Sequence, residues 1–302
     1  MALKYTPYDG SHPLFKIGLQ PLDLEDWLEV DEHLAFYLQE KQRLARIYGD
    51  KIFVAEDDTF QAQAEVLELI KDYVLERFPD QYQLADGGKT IDIPTAKQSV
   101  VLEDASSSSL MVASRLVQED IVLMRKGDNG WRLAAASLCF PSSWSLLEKF
   151  GKPLDQIHDT VPGFGPGSKN AGMIFRIFDN LKVEHPVRRF NWSIYSDDEL
   201  FHDDRAAEHL RKRDFEAGIF LRVEHQTLRK LPVSGDILFT VRIHIDPMDK
   251  LAQHPRRRDI CQGAVASLQD LDVAQLAYKG LTKERDRLIT QLNKIAEEAA
   301  YS

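Results

Sequence analysis

The stretch from Asp236 to Asp246 constrains the fold most. Phe239, Val241, Ile243 and Ile245 alternate there with Thr240, Arg242, His244 and Asp246. Side chains of a strand point to opposite faces with period two, so this segment reads as β-structure with one apolar and one polar face. Gly218 to Glu224 repeats the pattern, with Arg222 and Glu224 opposite Ile219, Leu221 and Val223. Leu231-Pro232-Val233-Ser234-Gly235 lies between the two runs and supplies turn chemistry. An antiparallel pair with one solvated face is therefore expected.

Helical periodicity flanks this region. Asp23 to Ile47 places Leu24, Trp27, Leu28, Leu34, Tyr37, Leu38 and Leu44 at helical spacing. Thr59 to Phe78 does the same with Val66, Leu69, Ile70, Tyr73 and Val74, with Thr59 as the expected N-cap. Ser99 to Glu103, Ile121 to Arg125 and Trp131 to Leu138 read as strands, the last two joined by a Gly127-Asp128-Asn129-Gly130 turn. A helix over Trp144 to Phe150, capped by Ser142 or Ser143, ends at Gly151. A helical turn is expected over Lys152 to His158, with Pro153 in its first position. Val161 to Gly167 holds too many glycines and prolines to be anything but loop. Val265 to Tyr278 and Thr282 to Ala300 return to helix, the latter with a narrow stripe of Leu288, Ile289, Leu292 and Ile295 that suits either the body of the protein or a partner subunit.

Helices, then strands, then helices predict an α+β fold. One elaborated domain over residues 1–302 is expected, with a helical region to about 95, a sheet core over about 97–250 and terminal helices over about 260–302. At 302 residues and 43% hydrophobic the chain can bury a sizeable core. Two cysteines, Cys139 and Cys261, exclude a disulfide scaffold, and a net charge of -10 argues against a broad nucleic-acid footprint. No apolar run approaches the ~18 residues of a spanning helix, and the first residues lack the features of a secretory signal. A soluble cytoplasmic protein is the expectation.

Chemistry-bearing motifs are sparse. There is no HExxH zinc motif, GxSxG elbow or GxxxxGK[ST] loop, and Gly163-Phe164-Gly165-Pro166-Gly167 is no dinucleotide fingerprint. His244 and Asp246 share a strand face and suit two ligands of a non-haem iron triad, with a distant histidine as the third and His254 uncomfortably near in sequence. His158 ends a short helix before a glycine-rich loop, where a neutral imidazole can present a ring nitrogen to a haem iron. Histidines at helix ends more often satisfy C-terminal carbonyls, and from spacing alone that plainer reading is preferred. In the segment Arg222 to Pro232, Arg222 or Arg229 can clamp a carboxylate such as a haem propionate, and Glu224 can hold a cationic amine. A solvated hairpin with cross-strand ion pairs is the plainer alternative.

Several motifs in order carry a resemblance. Pro153-Leu-Asp-Gln-Ile-His158 with Val161-Pro-Gly-Phe164, Arg189-Phe-Asn191-Trp192, Arg222 to Pro232, Phe239-Thr-Val-Arg242 and Ile245-Asp-Pro247 resemble the haem-dependent oxidative N-demethylase α-subunit family, over about Trp131 to Met248. The resemblance implies a PAS-like antiparallel sheet core holding haem b. It implies a monooxygenase that demethylates a small secondary amine such as dimethylamine, with formaldehyde released or passed to tetrahydrofolate. Electrons are implied to come from NADPH through FMN and a 2Fe–2S centre on partner subunits. By position it makes His158 the metal ligand, Phe164, Gln226 and Arg229 cofactor contacts, and Glu224 and Arg222 catalytic-pocket residues. His225 stands where a basic residue such as Arg is expected. A haem-binding PAS sensor, or an inactive relative without turnover, and a non-haem iron oxygenase using His244 and Asp246 are the competing readings.

Overall fold

The computed structural model describes residues 3–142, 144–202 and 214–298. Its centre is a seven-stranded antiparallel sheet. The strands are β1 (Gln20–Pro21), β2 (Phe53–Ala55), β6 (Asp120–Gly127), β7 (Gly130–Ser137), β8 (Val187–Tyr195), β9 (Phe220–Lys230) and β10 (Ile237–Pro247), in the order β1-β8-β9-β10-β6-β7-β2. Strands β3 (Gln83–Ala85), β4 (Thr90–Ile93) and β5 (Gln98–Val101) form a separate small sheet. The fold is α+β, with a large antiparallel sheet and flanking helices, as the order of elements predicts. Among the described residues no helix is long and apolar enough to cross a membrane.

Both expected hairpins form. Gly127 pairs with Gly130 across the β6–β7 turn, and Gly130 has φ +92°. A Cβ there would also lie 2.8 Å from the Phe175 ring, so glycine is required on both counts. Strand β9 runs past Glu224 to Lys230, in register with β10 from Phe220↔Pro247 to Lys230↔Ile237. The polar stretch after Glu224 is thus strand, because its side chains find buried partners.

Those partners overturn the expectation of a solvated face. Thr240 and Arg242 are 0% and 1% exposed. Arg242 donates to Asp31 Oδ2 at 2.6 Å and lies 4.1 Å from the centre of the Tyr37 ring. His225 Nδ1 lies 2.7 Å from Glu29 Oε1, and His244 Nε2 is 3.2 Å from Glu29 Oε2. Lys4 and Tyr5 also donate to this carboxylate. Burial pushes the Glu29 carboxyl up, but its bonds to His225 and His244 outweigh that and hold it well below the usual range.

This network explains why the first long helix, α1, spans Leu34–Ile52 rather than starting at Asp23. Residues before it are drawn across the sheet so that Glu29 and Asp31 reach β9 and β10, and Asp23 caps only the short 3-10 turn Leu24–Asp26. Helix α2 (Phe60–Arg77) forms as expected, but the Thr59 hydroxyl donates to the Glu56 carbonyl instead of capping it. Helix α3 (Ser109–Ser114) is capped by Ser108. These three helices and the small sheet cover the Ile121, Leu123 and Leu238 side of the large sheet.

Three short elements cover the other side: α4 (Leu146–Lys149), α5 (Leu154–Ile157) and α6 (Lys169–Asn180). Helix α4 is shorter than the expected 144–150, with Ser145 rather than Ser142 at its N-cap position, and Ser143 lies outside the described residues. Pro153 precedes α5 as its N-cap. At the C-terminus the expected 265–278 run is two helices, α7 (Arg257–Gln269) and α8 (Val273–Lys279), because Asp272 and Gln275 form a capping box between them. Helix α9 (Arg285–Glu297) buries Leu288, Leu292 and Ile295 against Ile260, Leu268 and Leu276, so the stripe belongs to this chain's own core.

Removing Glu29 takes away the buried carboxylate that His225, Lys4 and Tyr5 share. The Glu29→Ala variant should lose about 2 kcal/mol or more of unfolding free energy, the usual penalty for leaving buried hydrogen-bonding groups without their partner. Urea unfolding followed by circular dichroism measures it; a loss below ~0.5 kcal/mol would mean the network contributes little to stability.

Candidate functional site

A cavity of about 300 Å³ lies between the large sheet and the α4–α6 layer. Register decides which strand residues face it. Arg189 pairs with Gln226, Asn191 with Glu224, and these with Val241 and Ile243, so paired side chains line up on the cavity side. Val122, Met124 and Leu133 continue that face, while Phe164, Ile174 and Ile177 close the opposite wall. The lining is mostly apolar with a few placed polar groups, as expected of a site for a small molecule or cofactor.

His158 lines this cavity at the C-terminal end of α5. Buried Leu154 anchors that helical turn, and its carbonyl, which the helix leaves without a full complement of donors, receives the His158 backbone N–H at 3.2 Å. The same carbonyl lies 2.8 Å from His158 Nδ1. A carbonyl oxygen only accepts, so Nδ1 carries the proton and the Nε2 lone pair is left for the cavity. Burial pushes the His158 pKa down, outweighing the Leu154 bond, and the nearby charges of Arg189 and Lys149 push the same way. The ring is therefore neutral at neutral pH. That donor set, with an aromatic ring of Phe164 centred 6.4 Å away and an apolar surround, fits a residue that would hold a haem iron.

The polar end of the cavity is built on β8 and β9. Glu224 accepts hydrogen bonds from the Ser142 hydroxyl, from Gln226 Nε2 at 2.6 Å and from Asn191 Nδ2 at 3.2 Å. Burial pushes the Glu224 carboxyl up, yet the Ser142 bond and the Arg222 charge more than offset it, leaving the pKa below the usual carboxylate range. A carboxylate held charged inside an apolar cavity can bind a cation.

The structure brings His158, Phe164, Glu224 and Gln226 to one cavity and leaves Arg222 and Arg229 outside its lining. Arg222 is on the same sheet face, but its guanidinium donates to the carbonyls of Phe140 at 2.8 Å, Glu199 at 3.3 Å and Leu200 at 3.4 Å. Its donors hold backbone near Ser142 and leave a clamp for a ligand carboxylate unsupported. Arg229 has the opposite parity and points to the other face, 3.9 Å from the centre of the Trp27 ring, where burial brings its pKa down to about 10.

His244 and Asp246 also face away from the cavity. His244 is engaged by Glu29, Asp246 pairs with Lys250 at 2.7 Å, and His254 Nδ1 accepts from the Arg256 N–H. Among the described residues the side chains close enough to share a metal ion are Asp197, Glu199 and His202, and neither His244 nor Asp246 is among them.

Sequence reasoning did not single out Arg189, Lys149 or the role of Ser142. Reading Val187 to Tyr195 as a strand makes the first accessible, since Arg189, Asn191, Ser193 and Tyr195 then share a face. Nothing local marks Lys149 or Ser142, whose positions depend on how the α4 segment folds back over the sheet.

The sequence profile of the family described as haem-dependent oxidative N-demethylase, alpha subunit-like, matches residues 18–289. That is most of the chain, and the protein belongs to this family.

The depressed His158 pKa has a defined pH consequence. Its neutral form contributes stability that is present above the ordinary histidine value of 6.5 and is lost as pH falls from there through the folded-state pKa. Nitrogen-15 NMR of the imidazole should find the Nδ1–H tautomer at neutral pH and a titration midpoint below 6.5. A midpoint above that value, or an Nε2–H tautomer, contradicts the placement of the lone pair.

Proposed function

We propose that this member of the haem-dependent oxidative N-demethylase alpha subunit-like family is the oxygenase component of such an enzyme, and that His158 would hold the iron of a haem b bound in the cavity. The observation that carries the reading is the Leu154 carbonyl fixing the His158 tautomer, which presents a neutral Nε2 to an apolar cavity. Bound haem supplies the oxygen activation that no acid–base side chain provides. Phe164 and the apolar wall would pack against the macrocycle and exclude water.

The substrate is a small secondary amine of the dimethylamine kind. Such an amine is protonated in neutral solution, and the ionised Glu224 is the group suited to accept its N–H donors. Ser142, Asn191 and Gln226 fix the carboxylate in place, so the amine is oriented with its methyl groups directed into the apolar part of the cavity. Arg222 is a positioning residue, acting on Glu224 through its charge and through the backbone that carries Ser142. The net reaction takes the amine, O2, two electrons and two protons to the demethylated amine, formaldehyde and water. Formaldehyde leaves or is transferred to tetrahydrofolate.

Cys139 and Cys261 are buried, unpaired and too few for a four-cysteine cluster. Electrons therefore come from partner subunits carrying FMN, a 2Fe–2S centre and an NADPH site, which agrees with an alpha-subunit role. The chain is read as one elaborated domain and as cytoplasmic.

Protein purified with haem supplementation should show a Soret band that is lost in His158→Ala while circular dichroism is retained. With a suitable reductase and O2, dimethylamine should yield formaldehyde. Glu224→Gln should lower kcat/KM about 30-fold or more, as expected for removing one charge of a buried pair. Absence of a Soret band in folded wild-type protein defeats the reading, and bound haem without formaldehyde from any small methylamine favours a sensor.

A further inference from the structure

Three basic side chains line the cavity: Lys279 donates to the Trp192 carbonyl at 2.9 Å and the Ser193 hydroxyl at 3.0 Å, which leaves Arg189 and Lys149 as the two to be considered. Arg189 reaches it from β8 and Lys149 from the last residue of α4. Neither forms an ion pair with a carboxylate among the described residues. Arg189 donates from Nη2 to the Lys16 carbonyl at 3.2 Å, but its Nε is buried with no hydrogen-bond partner. Two acidic residues line the same cavity. Glu224 is already bonded by Ser142, Asn191 and Gln226, and both Asp120 oxygens are taken by the backbone N–H groups of Cys139 and Phe140, at 2.7 and 2.8 Å.

A cation held out of water is costly unless an anion meets it. Glu224 acts on Arg189, and Glu148 and Asp159 act on Lys149, only through their fields, so an anionic ligand would supply the direct contact that both cations lack. The ligand needs two anionic groups, one for a planar fork of donors and one for an ammonium. Both cations line the same cavity as His158 and act electrostatically on its ring.

We propose that Arg189 and Lys149 receive the two propionate carboxylates of the porphyrin whose iron His158 ligates. This assignment rests on the haem reading above. It replaces Arg222 and Arg229, whose guanidinium groups are occupied by backbone carbonyls or lie across the sheet. Positive charge at these sites thus selects a dicarboxylate macrocycle, while Glu224 selects a cationic substrate within the same cavity.

The test compares haem with its dimethyl ester, in which both carboxylates are neutralised. Full-length wild type, Arg189→Ala, Lys149→Ala and Arg189→Lys are each loaded with haem or with the ester, and loss to apomyoglobin is followed at the Soret band. In wild type the ester should leave about tenfold or more faster than haem. Each alanine variant should release haem about tenfold faster yet release the ester at the wild-type rate, and Arg189→Lys should recover part of the difference. Equal retention of haem and ester by wild type overturns the assignment. So does an alanine variant that accelerates both alike, since that reports a damaged cavity wall. Wild-type protein that binds haem in a His158-dependent way but shows no ester effect defeats only the propionate assignment. Folded wild type with no Soret band defeats the haem reading and the assignment with it.

Discussion

Burial of both faces of the large sheet is the constraint from which the rest follows. Strands β9 and β10 carry Arg, Glu, His and Thr on positions that no water reaches, so each charge needs a partner supplied from elsewhere in the chain. On one face the N-terminal segment meets this need, with Glu29 between His225 and His244 and Asp31 on Arg242. The segment cannot be helical where it does so, and the first long helix is delayed to Leu34. Lys41 then enters the same side from α1, donating to the carbonyls of Ser114, Val117 and Glu119.

On the other face the polar groups surround a cavity. Glu224 and Asp120 are satisfied by side-chain and backbone donors, whereas Arg189, bonded to the Lys16 carbonyl through Nη2, keeps a buried Nε without a partner, and Lys149 forms no ion pair among the described residues. One face thus pairs its charges with carboxylates of the N-terminal segment, while the other gathers charged groups around a cavity. The two faces are linked by parity: moving one residue along β9 passes from the cavity carboxylate Glu224 to the scaffold histidine His225. A register slip of one position would exchange them.

Some of the candidate site was legible in the sequence. His158 and Gln226 were marked by the ordered family motifs rather than by spacing, since a histidine at a helix end reads first as a carbonyl partner and the strand was expected to stop before Gln226. Glu224 lay within the expected alternation, so its face could be read directly. Arg222 has that parity too, yet its side chain turns to three carbonyls on the 140 and 199–200 segments, contacts remote in sequence. Arg229 was misplaced because the strand was expected to end at Glu224; once it runs to Lys230, odd parity sends Arg229 to Trp27.

By itself the sequence determined what local physics controls: α+β order, the two hairpins, the turn glycines and the alternation that sorts strand residues into two sets. The ordered motifs also marked the family. Which of the two sets met a cavity and which met the N-terminal carboxylates was settled only by tertiary packing, because side-chain period fixes sidedness but not what covers each side. The same holds for charge. A sequence shows that Glu29, His225, Glu224 and Arg189 exist, but whether each is neutralised depends on desolvation and on partners brought from far along the chain.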